Sequence, residues 1–325
     1  MRILIDKYVP FLHGVLDRYA EVSYLEPEQF TPDAVRDADA LIIRTRTHCN
    51  AALLEGSRVQ FIATATIGTD HIDQDYCQSR GIEVVSCPGC NAKAVCDYVE
   101  EALMETFEQI KPVDPDRPKK YLLVLEKPSD QLSIGIVGVG RVGKRVFKMA
   151  RDHGLHIVIN DPPLGLNGDV TSCDIITFHT PLTHTGQWPT YHMCDAKFLA
   201  RCKPRALIIN AARGGVVDEQ ALINSEHPFI IDTWEGEPDI NPQVLSKAAL
   251  ASFHIAGYSL GGKRNASRMC LKALCEHFGL PKLKVNKTLA DERGDRQPGW
   301  LKRVSDALKA NPEAFEQLRK EYKLR

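Results

Sequence analysis

The sequence has no long hydrophobic run. No stretch within its 325 residues approaches the roughly 18 consecutive apolar residues of a membrane-spanning helix. The N-terminal sequence MRILIDKYVP carries charged residues, and it lacks the long apolar segment and small-residue cleavage site of a signal peptide. We therefore expect a cytoplasmic protein that has no membrane partner.

The sequence also has no excess of charge of one sign. Its 41 Lys and Arg residues balance 42 Asp and Glu residues, so the formal net charge is −1. We expect no nucleic-acid partner, because a nucleic-acid-binding surface usually brings a basic excess. Residues 282–325 are a local exception, with 12 basic and 7 acidic residues. Two amphipathic helices fit this tail, and a solvated charged face is a commoner reason for such charge than a phosphate- or nucleic-acid-binding segment.

Cysteine is scarce, with ten residues scattered along the chain. This number is far below that of a disulfide-stabilised fold, so we expect reduced thiols. Cys87 and Cys90 form a C-x-x-C pair, but no second pair of that spacing completes a zinc site. We interpret the pair as a strand end and a turn before a helix, and we predict no metal site.

Strand-like apolar runs alternate with helical segments along the chain, and this pattern predicts parallel β-α-β units. The predicted strands are residues 2–6, 40–44, 59–64, 82–85, 133–138, 156–160, 175–179, 206–210, 229–232 and 251–254. Helices are predicted at 91–110 and 264–279. Four prolines between positions 111 and 130 indicate a loop or irregular insertion.

A glycine motif lies where the predicted strand 133–138 ends and a helical segment begins. In a dinucleotide-binding fold, Gly138 permits the tight turn, Gly140 lets a pyrophosphate approach the backbone, and Gly143 allows helix and strand to pack closely. The helix N-terminus then offers free N–H groups to the phosphates. The candidate residues of this turn are Gly138, Gly140, Arg141, Val142 and Gly143.

Asp161 ends the following predicted strand, close to the spacing expected of a carboxylate that binds the ribose hydroxyls. Because a carboxylate there would repel a 2′-phosphate, NAD is the expected cofactor and NADP is disfavoured. Eleven residues separate Asp161 from Cys173.

Three polar residues follow predicted strands in the later half of the chain. They are Arg213, Glu237 and His254. The carboxyl ends of strands in an open α/β sheet face the ligand crevice, so these residues can converge from distant positions. Glu235 lies beside Glu237, and spacing alone leaves either one as the partner of His254.

These motifs resemble the D-2-hydroxyacid dehydrogenase family over about residues 1–280. The matching peptides are TATIGTDHID at 64–73, PGCNA at 88–92, TFHTPL at 177–182, WEGEP at 234–238 and HIAGY at 254–258. The resemblance implies an α/β fold of two doubly wound domains, a Rossmann NAD-binding domain inserted in a flavodoxin-like substrate domain. The expected division is residues 1–98, then 99–263, then a return helix and tail at 264–325.

The resemblance also implies catalytic roles. His254 is the expected general acid/base, because imidazole can accept and return a proton near neutral pH. Glu237, rather than Glu235, matches the position that orients this imidazole and stabilises its protonated form. Arg213 matches the residue that binds the substrate carboxylate, to which its planar guanidinium is suited.

Further ligand contacts carry over from the family by position. Thr180, Asp232 and Gly257 are expected to contact NAD. Thr45, Thr66 and Tyr258 are expected to contact the substrate, a small phosphorylated 2-hydroxy acid. Arg44 and Arg46 flank Thr45, and in an extended strand their side chains would point the same way, so at least one is expected to reach the phosphate.

Three further expectations follow from the resemblance. The family usually places another strand and helix between Asp161 and Cys173, so the adenine side of the cofactor site is expected to be more open. Members of the family usually form homodimers, so we expect a homodimer. Another enzyme of the family, such as a phosphoglycerate or D-lactate-type dehydrogenase, stays an alternative, as does an NAD-sensing module without catalysis, although the presence of Arg213, Glu237 and His254 weighs against the latter.

Overall fold

The computed structural model describes residues 1–108, 121–122, 127–128, 131–286 and 299–323. The strands are β1 (Arg2–Asp6), β2 (Glu21–Leu25), β3 (Ala40–Ile43), β4 (Phe61–Thr64), β5 (Glu83–Val85), β6 (Tyr121–Leu122), β7 (Lys127–Pro128), β8 (Ser133–Val137), β9 (His156–Asp161), β10 (Leu166–Asn167), β11 (Ile175–Phe178), β12 (Leu207–Asn210), β13 (Phe229–Ile231) and β14 (Leu250–Ala251). The α-helices are α1 (Pro32–Val35), α2 (Ala51–Leu54), α3 (Gln74–Ser79), α4 (Ala92–Glu108), α5 (Gly143–Asp152), α6 (Ala196–Arg201), α7 (Glu219–Ile223), α8 (Pro242–Lys247), α9 (Leu260–His277), α10 (Trp300–Ala310) and α11 (Phe315–Glu321).

The described residues form two compact units. The first contains residues 1–91 and 258–286, and the second contains 92–257 and 299–323. The predicted boundaries after residues 98 and 263 lie within α4 and α9, and the assignment of a function to each domain stays a prediction.

The first unit is built on a five-stranded parallel sheet in the order β2-β1-β3-β4-β5. This is the flavodoxin-like order of a doubly wound sheet. Successive residues of a strand point to opposite faces, so Ile5 and Ile42 join a core that includes the α9 residue Leu274, whereas Leu4 and Leu41 join a second core. Apolar cores on both faces explain why these strands are continuous hydrophobic runs.

The second unit is built on a seven-stranded sheet in the order β10-β9-β8-β11-β12-β13-β14. All neighbouring strands are parallel except β10, which is antiparallel to β9. The chain runs outward from β8 in one direction and then from β11 in the other, so the order reverses between these two strands. This is the doubly wound arrangement that the sequence predicts, and ligands bind at such a reversal point.

Two edge strands of the large sheets, β2 and β10, escape the sequence-based prediction, and several predicted strands are one or more residues shorter in the structure. β2 is a half-exposed edge strand with mixed polarity, so it lacks the apolar run of a central strand. β10 has two exposed residues, too few to form a pattern. The predicted strand 251–254 ends at Ala251, although the Ser252 N–H still donates to the Ile231 carbonyl at the end of β13.

The short segment after Asp161 replaces the extra strand and helix that the family resemblance implies. It consists of β10 and two turns of 3-10 helix, at 162–164 and 170–172. The second turn packs directly on β8, where a Cβ added to Gly135 would lie 2.7 Å from Cβ of Val170. The openness of the adenine side stays a prediction.

The tail forms the two amphipathic helices that the sequence predicts, α10 and α11. The carboxylate of Glu105 on α4 accepts hydrogen bonds from the Leu301 and Lys302 backbone N–H groups over 2.8 and 2.7 Å. Ser305 Oγ accepts a hydrogen bond from the β14 residue Ala251. Residues 299–323 of the tail are therefore a packed extension of the second unit, whereas residues 282–286 belong to the first unit.

Of the predicted insertion at 111–130, only β6 and β7 lie within the described residues, and they pair in antiparallel fashion.

The cysteines are all buried, and none forms a disulfide. Cys87 and Cys90 follow β5 and precede α4 in a turn, as predicted. Within the described ranges, no group of three His, Cys, Asp or Glu side chains could hold a metal ion, and no helix is long and apolar enough to cross a membrane.

Candidate active site

The carboxyl ends of three neighbouring parallel strands form one part of the candidate site. β12, β13 and β14 are adjacent in the second sheet. Arg213, Glu237 and His254 lie in the segments that follow them, as the sequence predicts. Parallel strands end at the same edge of a sheet, so three segments far apart in sequence leave the sheet at this edge.

His254 and Glu237 form a direct pair. His254 Nδ1 lies 2.7 Å from Glu237 Oε2, and the second oxygen, Oε1, accepts a hydrogen bond from the Trp234 backbone N–H over 2.8 Å. Both oxygens of the carboxylate are thus acceptors, which requires the imidazole to donate through Nδ1 and leaves Nε2 to exchange a proton. Both side chains remain partly exposed, so Nε2 is not sealed in the core.

His254 stands in a backbone conformation that Asp232 holds. His254 has a φ of 57°, which is uncommon for a residue with a side chain. Asp232 is buried, and its carboxylate accepts bonds from the Ile255 and Ala256 backbone N–H groups at 2.7 and 3.0 Å. Ser252 Oγ donates to the same carboxylate over 2.6 Å. Asp232 therefore positions the turn that carries His254, and its predicted contact with NAD stays a prediction.

Glu235 contacts residues other than His254, so Glu237 is the carboxylate that pairs with His254. Its Oε1 lies 3.0 Å from His192 Nε2 and accepts a bond from the Glu219 backbone N–H. The Glu235 backbone N–H in turn donates to Glu219 Oε1 over 2.7 Å. Burial, reinforced by the nearby acidic residues Glu235 and Glu237, raises the pKa of Glu219 to about 7.

The segment carrying Arg213 is fixed by its backbone rather than by its guanidinium. The buried Asn210 side chain donates to the Arg213 carbonyl oxygen over 3.0 Å and accepts from the Ala212 N–H. A Cβ at Gly214 would collide with the Trp234 carbonyl oxygen, so glycine is required where the two segments meet. The exposed Arg213 side chain donates to the Ala212 carbonyl over 2.8 Å.

The glycine turn lies at the reversal point of the same sheet, between β8 and α5. Gly138 has a φ of 85°, and a Cβ there would approach within 2.9 Å of Thr180. A Cβ at Gly143 would collide with the Gly138 carbonyl oxygen, as expected where helix and strand pack closely. Gly140 differs, because a Cβ there would meet no atom within 4 Å. The protein's own packing therefore does not explain Gly140, which leaves room for a ligand at the exposed turn.

Asp161 lies against this turn. Its Oδ2 accepts a hydrogen bond from the Val139 backbone N–H over 2.6 Å, which joins the end of β9 to the glycine turn. Arg141 is exposed beside it, and Val142 precedes the first residue of α5. Thr180 and Gly257 are half-buried in segments that follow β11 and β14. The fold thus places Asp161, the glycines and Thr180 at the ends of adjacent strands.

The remaining predicted residues belong to the first unit. Thr66 donates to the Gly68 carbonyl oxygen, and its hydroxyl lies 2.6 Å from that of the buried Thr64. Thr45 is exposed, and Tyr258 is half-buried. The ligand contacts predicted for Thr45, Thr66 and Tyr258 stay predictions.

The expected common direction of the Arg44 and Arg46 side chains assumed an extended strand, and this assumption is wrong. Arg44 and Arg46 do not lie in an extended strand, because β3 ends at Ile43 and the Thr47 N–H bonds back to the Arg44 carbonyl in a turn. Their side chains therefore need not share a direction. Arg44 is bound to Asp6, whereas Arg46 is exposed.

Sequence reasoning missed the residues that position the site, namely Asn210, Gly214, Glu219 and Ser252. The pattern Arg-Gly-Gly was a signal for a close approach at Gly214. The other three act through contacts with residues that are close in space, which no local pattern reveals.

Comparison with known proteins agrees with this geometry. Residues 6–286 match the catalytic-domain model of the D-isomer specific 2-hydroxyacid dehydrogenases. The chain belongs to this family. A family relative named erythronate-4-phosphate dehydrogenase, from Bacteroides thetaiotaomicron, is 40% identical over an alignment that covers 100% of this chain and 97% of that protein. A relative of the same name from Porphyromonas gingivalis is 39% identical over an alignment that covers 99% of this chain and 92% of that protein.

Solved structures of D-2-hydroxyacid dehydrogenases share the fold. The NAD+-bound 3-phosphoglycerate dehydrogenase of Entamoeba histolytica aligns with a TM-score of 0.67 at 24% identity, over 89% of this chain and 99% of that one. The D-lactate dehydrogenase of Aquifex aeolicus, complexed with NAD and lactic acid, aligns with a TM-score of 0.65 at 22% identity, over 85% and 96%.

Proposed function

We propose that this D-2-hydroxyacid dehydrogenase oxidises 4-phospho-D-erythronate to 2-oxo-3-hydroxy-4-phosphobutanoate with NAD, a step in the biosynthesis of pyridoxal 5′-phosphate (vitamin B6). The hydrogen-bonded pair of His254 and Glu237 is the observation that carries the reaction type. The erythronate-4-phosphate dehydrogenases that align over the whole chain at about 40% identity support the substrate.

The glycine turn fits a dinucleotide. The open space at Gly140 permits the close approach of a pyrophosphate, and the N-terminus of α5, the positive end of the helix dipole, follows this turn. Asp161 lies where it can bind ribose hydroxyls and repel a 2′-phosphate, which favours NAD over NADP. When bound, NAD accepts the hydride that leaves C2 of the substrate.

The chain's own residues handle the proton and the substrate charge. His254 Nε2 accepts the proton of the C2 hydroxyl, while Nδ1 donates to Glu237, whose carboxylate stabilises the resulting imidazolium. The turn held by Asp232 keeps the imidazole in one orientation. Arg213 binds the substrate carboxylate, since its guanidinium is exposed and otherwise bonded only to a carbonyl oxygen among the described residues.

For the first unit we propose contacts with the substrate through Thr45, Thr66 and Tyr258. The hydrogen bond from the Thr66 hydroxyl to the Gly68 carbonyl fixes the orientation of the Thr66 side chain, which supports a contact between this side chain and the substrate. Arg44 and Arg46 remain the candidates for the phosphate from this segment.

A substrate panel tests the proposed function. The purified protein is incubated with NAD and 4-phospho-D-erythronate, 3-phospho-D-glycerate or D-lactate, and NADH formation is followed by absorbance. We expect the highest kcat/KM with 4-phospho-D-erythronate. A higher value with another acid would reassign the substrate within the family, whereas NADH binding without oxidation of any acid would favour an NAD-sensing module.

We also propose that the protein acts in the cytoplasm as a homodimer. The support for these points is its metabolic relatives and the habit of its family rather than any contact in the structure. Light scattering after size exclusion should give twice the 36.3 kDa mass of the chain. A mass of one chain at working concentration would contradict the dimer.

A further inference from the structure

The first unit holds two cations, Arg44 and Lys263, that interact electrostatically and differ in their partners. Arg44 Nε donates to the carboxylate of Asp6 over 3.1 Å, and Asp6 is completely buried. Lys263 lies in the first turn of α9 and forms no salt bridge with any residue in the described parts of the chain. The positive charge of Arg44 is thus compensated by a carboxylate, whereas no carboxylate of the described residues compensates that of Lys263.

Arg44 is held in place before any ligand arrives. The second oxygen of Asp6 accepts a hydrogen bond from the Tyr8 backbone N–H over 2.8 Å. The Arg44 guanidinium lies over the Tyr8 ring, 5.0 Å from its centroid. Because 28% of the side chain remains exposed, the Asp6 contact leaves part of the guanidinium free for a second anion.

Lys263 is directed by the packing of α9. Ser267, one helical turn later and on the same face, donates to the Pro10 carbonyl over 2.6 Å, and Arg264 lies over the Phe11 ring at 4.9 Å. These contacts bind α9 to the segment after β1 and leave Lys263 half-buried. Burial and the charge of Arg44 both lower the pKa of Lys263. A half-buried ammonium group beside a second cation is unfavourable unless an anion compensates it.

We propose that Arg44 and Lys263 form an anion subsite for the phosphate of the substrate, and that Lys263 determines the preference for phosphorylated 2-hydroxy acids. The inference rests on the proposed function. A phosphate monoester carries a charge of about −1.5 to −2 near neutral pH, which matches one partly compensated and one uncompensated cation. Thr45, Thr66 and Tyr258, the candidate substrate contacts, belong to the same unit.

Steady-state kinetics of Lys263→Met tests the subsite, because methionine keeps an unbranched stem and removes the charge. We expect KM for 4-phospho-D-erythronate to rise at least about tenfold, which is the loss of affinity that removal of one charge-assisted hydrogen bond causes. We expect kcat to change less than about twofold and Lys263→Arg to restore most of the affinity. Lys272→Met is the matched control, since Lys272 lies on the same helix but is exposed and paired with Glu276.

Calorimetric titration with inorganic phosphate supplies a readout that does not depend on turnover. We expect binding to the wild-type protein and at least tenfold weaker binding to Lys263→Met. If the variant keeps the wild-type KM and phosphate affinity, the subsite is overturned while the proposed oxidation stands. If the wild-type protein oxidises no phosphorylated acid but loses phosphate binding on substitution, the subsite stands and the proposed function fails.

Discussion

At the scale of single residues, Glu237 shows why a carboxylate is required beside the imidazole. One of its oxygens accepts from the Trp234 N–H and the other faces His254 Nδ1. An amide has only one acceptor oxygen, so it cannot serve both donors. The family resemblance singled out Glu237 over Glu235, and the hydrogen bonds of the folded chain supply the physical reason.

We predict that Glu237→Gln lowers kcat by about 10²-fold or more, within the range of a lost general-base contribution. If the amide nitrogen faces Nδ1, the imidazole tautomer reverses and Nε2 is no longer a proton acceptor; if it faces the Trp234 N–H, two donors are opposed. Both orientations remove the negative charge that stabilises the imidazolium. Stopped-flow or steady-state NADH formation measures kcat, and Glu226→Gln, at an exposed position before β13, is the control. A variant with more than half the wild-type kcat would refute this role.

Glu219 gives a prediction on stability. Its pKa is about 7 in the folded protein and 4.5 when the group is freely solvated, so the folded state binds more protons between these values. Stability therefore falls as pH rises from about 4.5 to 7, by an amount on the order of 3 kcal/mol for the full shift, and is constant above that range.

Urea unfolding of the wild-type protein and Glu219→Gln at several pH values measures this effect. Glutamine keeps the acceptor for the Glu235 N–H but cannot ionise. We expect the variant to gain stability relative to the wild type as pH rises through the window. A difference that does not depend on pH would show that Glu219 ionises normally.

At the scale of elements, buried strands could be predicted because apolar cores cover both faces of each sheet. β1, β3, β8 and β11 are continuous hydrophobic runs in the sequence and central strands in the structure. β2 could not be predicted from such a run, because it is half-exposed at an edge. The turn after β14 is held by Asp232, which lies 23 and 24 residues before the two N–H donors along the chain.

The glycines of β8 and of its turn should separate stability from cofactor binding. Gly135→Ala places a Cβ 2.7 Å from Val170, and we expect a loss of about 1–3 kcal/mol in the free energy of unfolding. Gly140→Ala meets no protein atom, so we expect stability close to that of the wild type but at least about tenfold weaker NAD binding. Chemical denaturation and calorimetric titration measure the two effects.

The opposite pattern would contradict this assignment of the two glycines. A Gly140→Ala protein that binds NAD as tightly as the wild type would show that the pyrophosphate does not approach that position. A Gly135→Ala protein with unchanged stability would show that the turn at 170–172 moves to accommodate the Cβ without a loss in the free energy of unfolding.

At the scale of the whole molecule, the near-zero net charge conceals an uneven distribution. The basic tail suggested either a solvated face or an anion-binding segment, and its helices α10 and α11 are packed in the second unit. The contact of Glu105 with the start of α10 joins residues almost 200 positions apart, so no local pattern could predict it. The candidate anion subsite instead lies at Arg44 and Lys263, in a unit whose sequence is not notably basic.

The positions of Arg213, Glu237 and His254 at one sheet edge were predictable because each residue follows a strand. The way their segments are held was not, since it depends on Asn210, Gly214 and Ser252, whose roles arise only when distant segments meet. The reaction type therefore follows from the sequence, and the structure adds how the imidazole is held.

The most direct test of the account is turnover of 4-phospho-D-erythronate by the wild-type protein and by His254→Gln, with NAD affinity measured on the same samples. We predict NADH formation by the wild type, a loss of at least about 10²-fold in kcat for the variant, and an unchanged Kd for NAD. Wild-type turnover retained by His254→Gln would contradict the assignment of His254 as the group that takes the substrate proton.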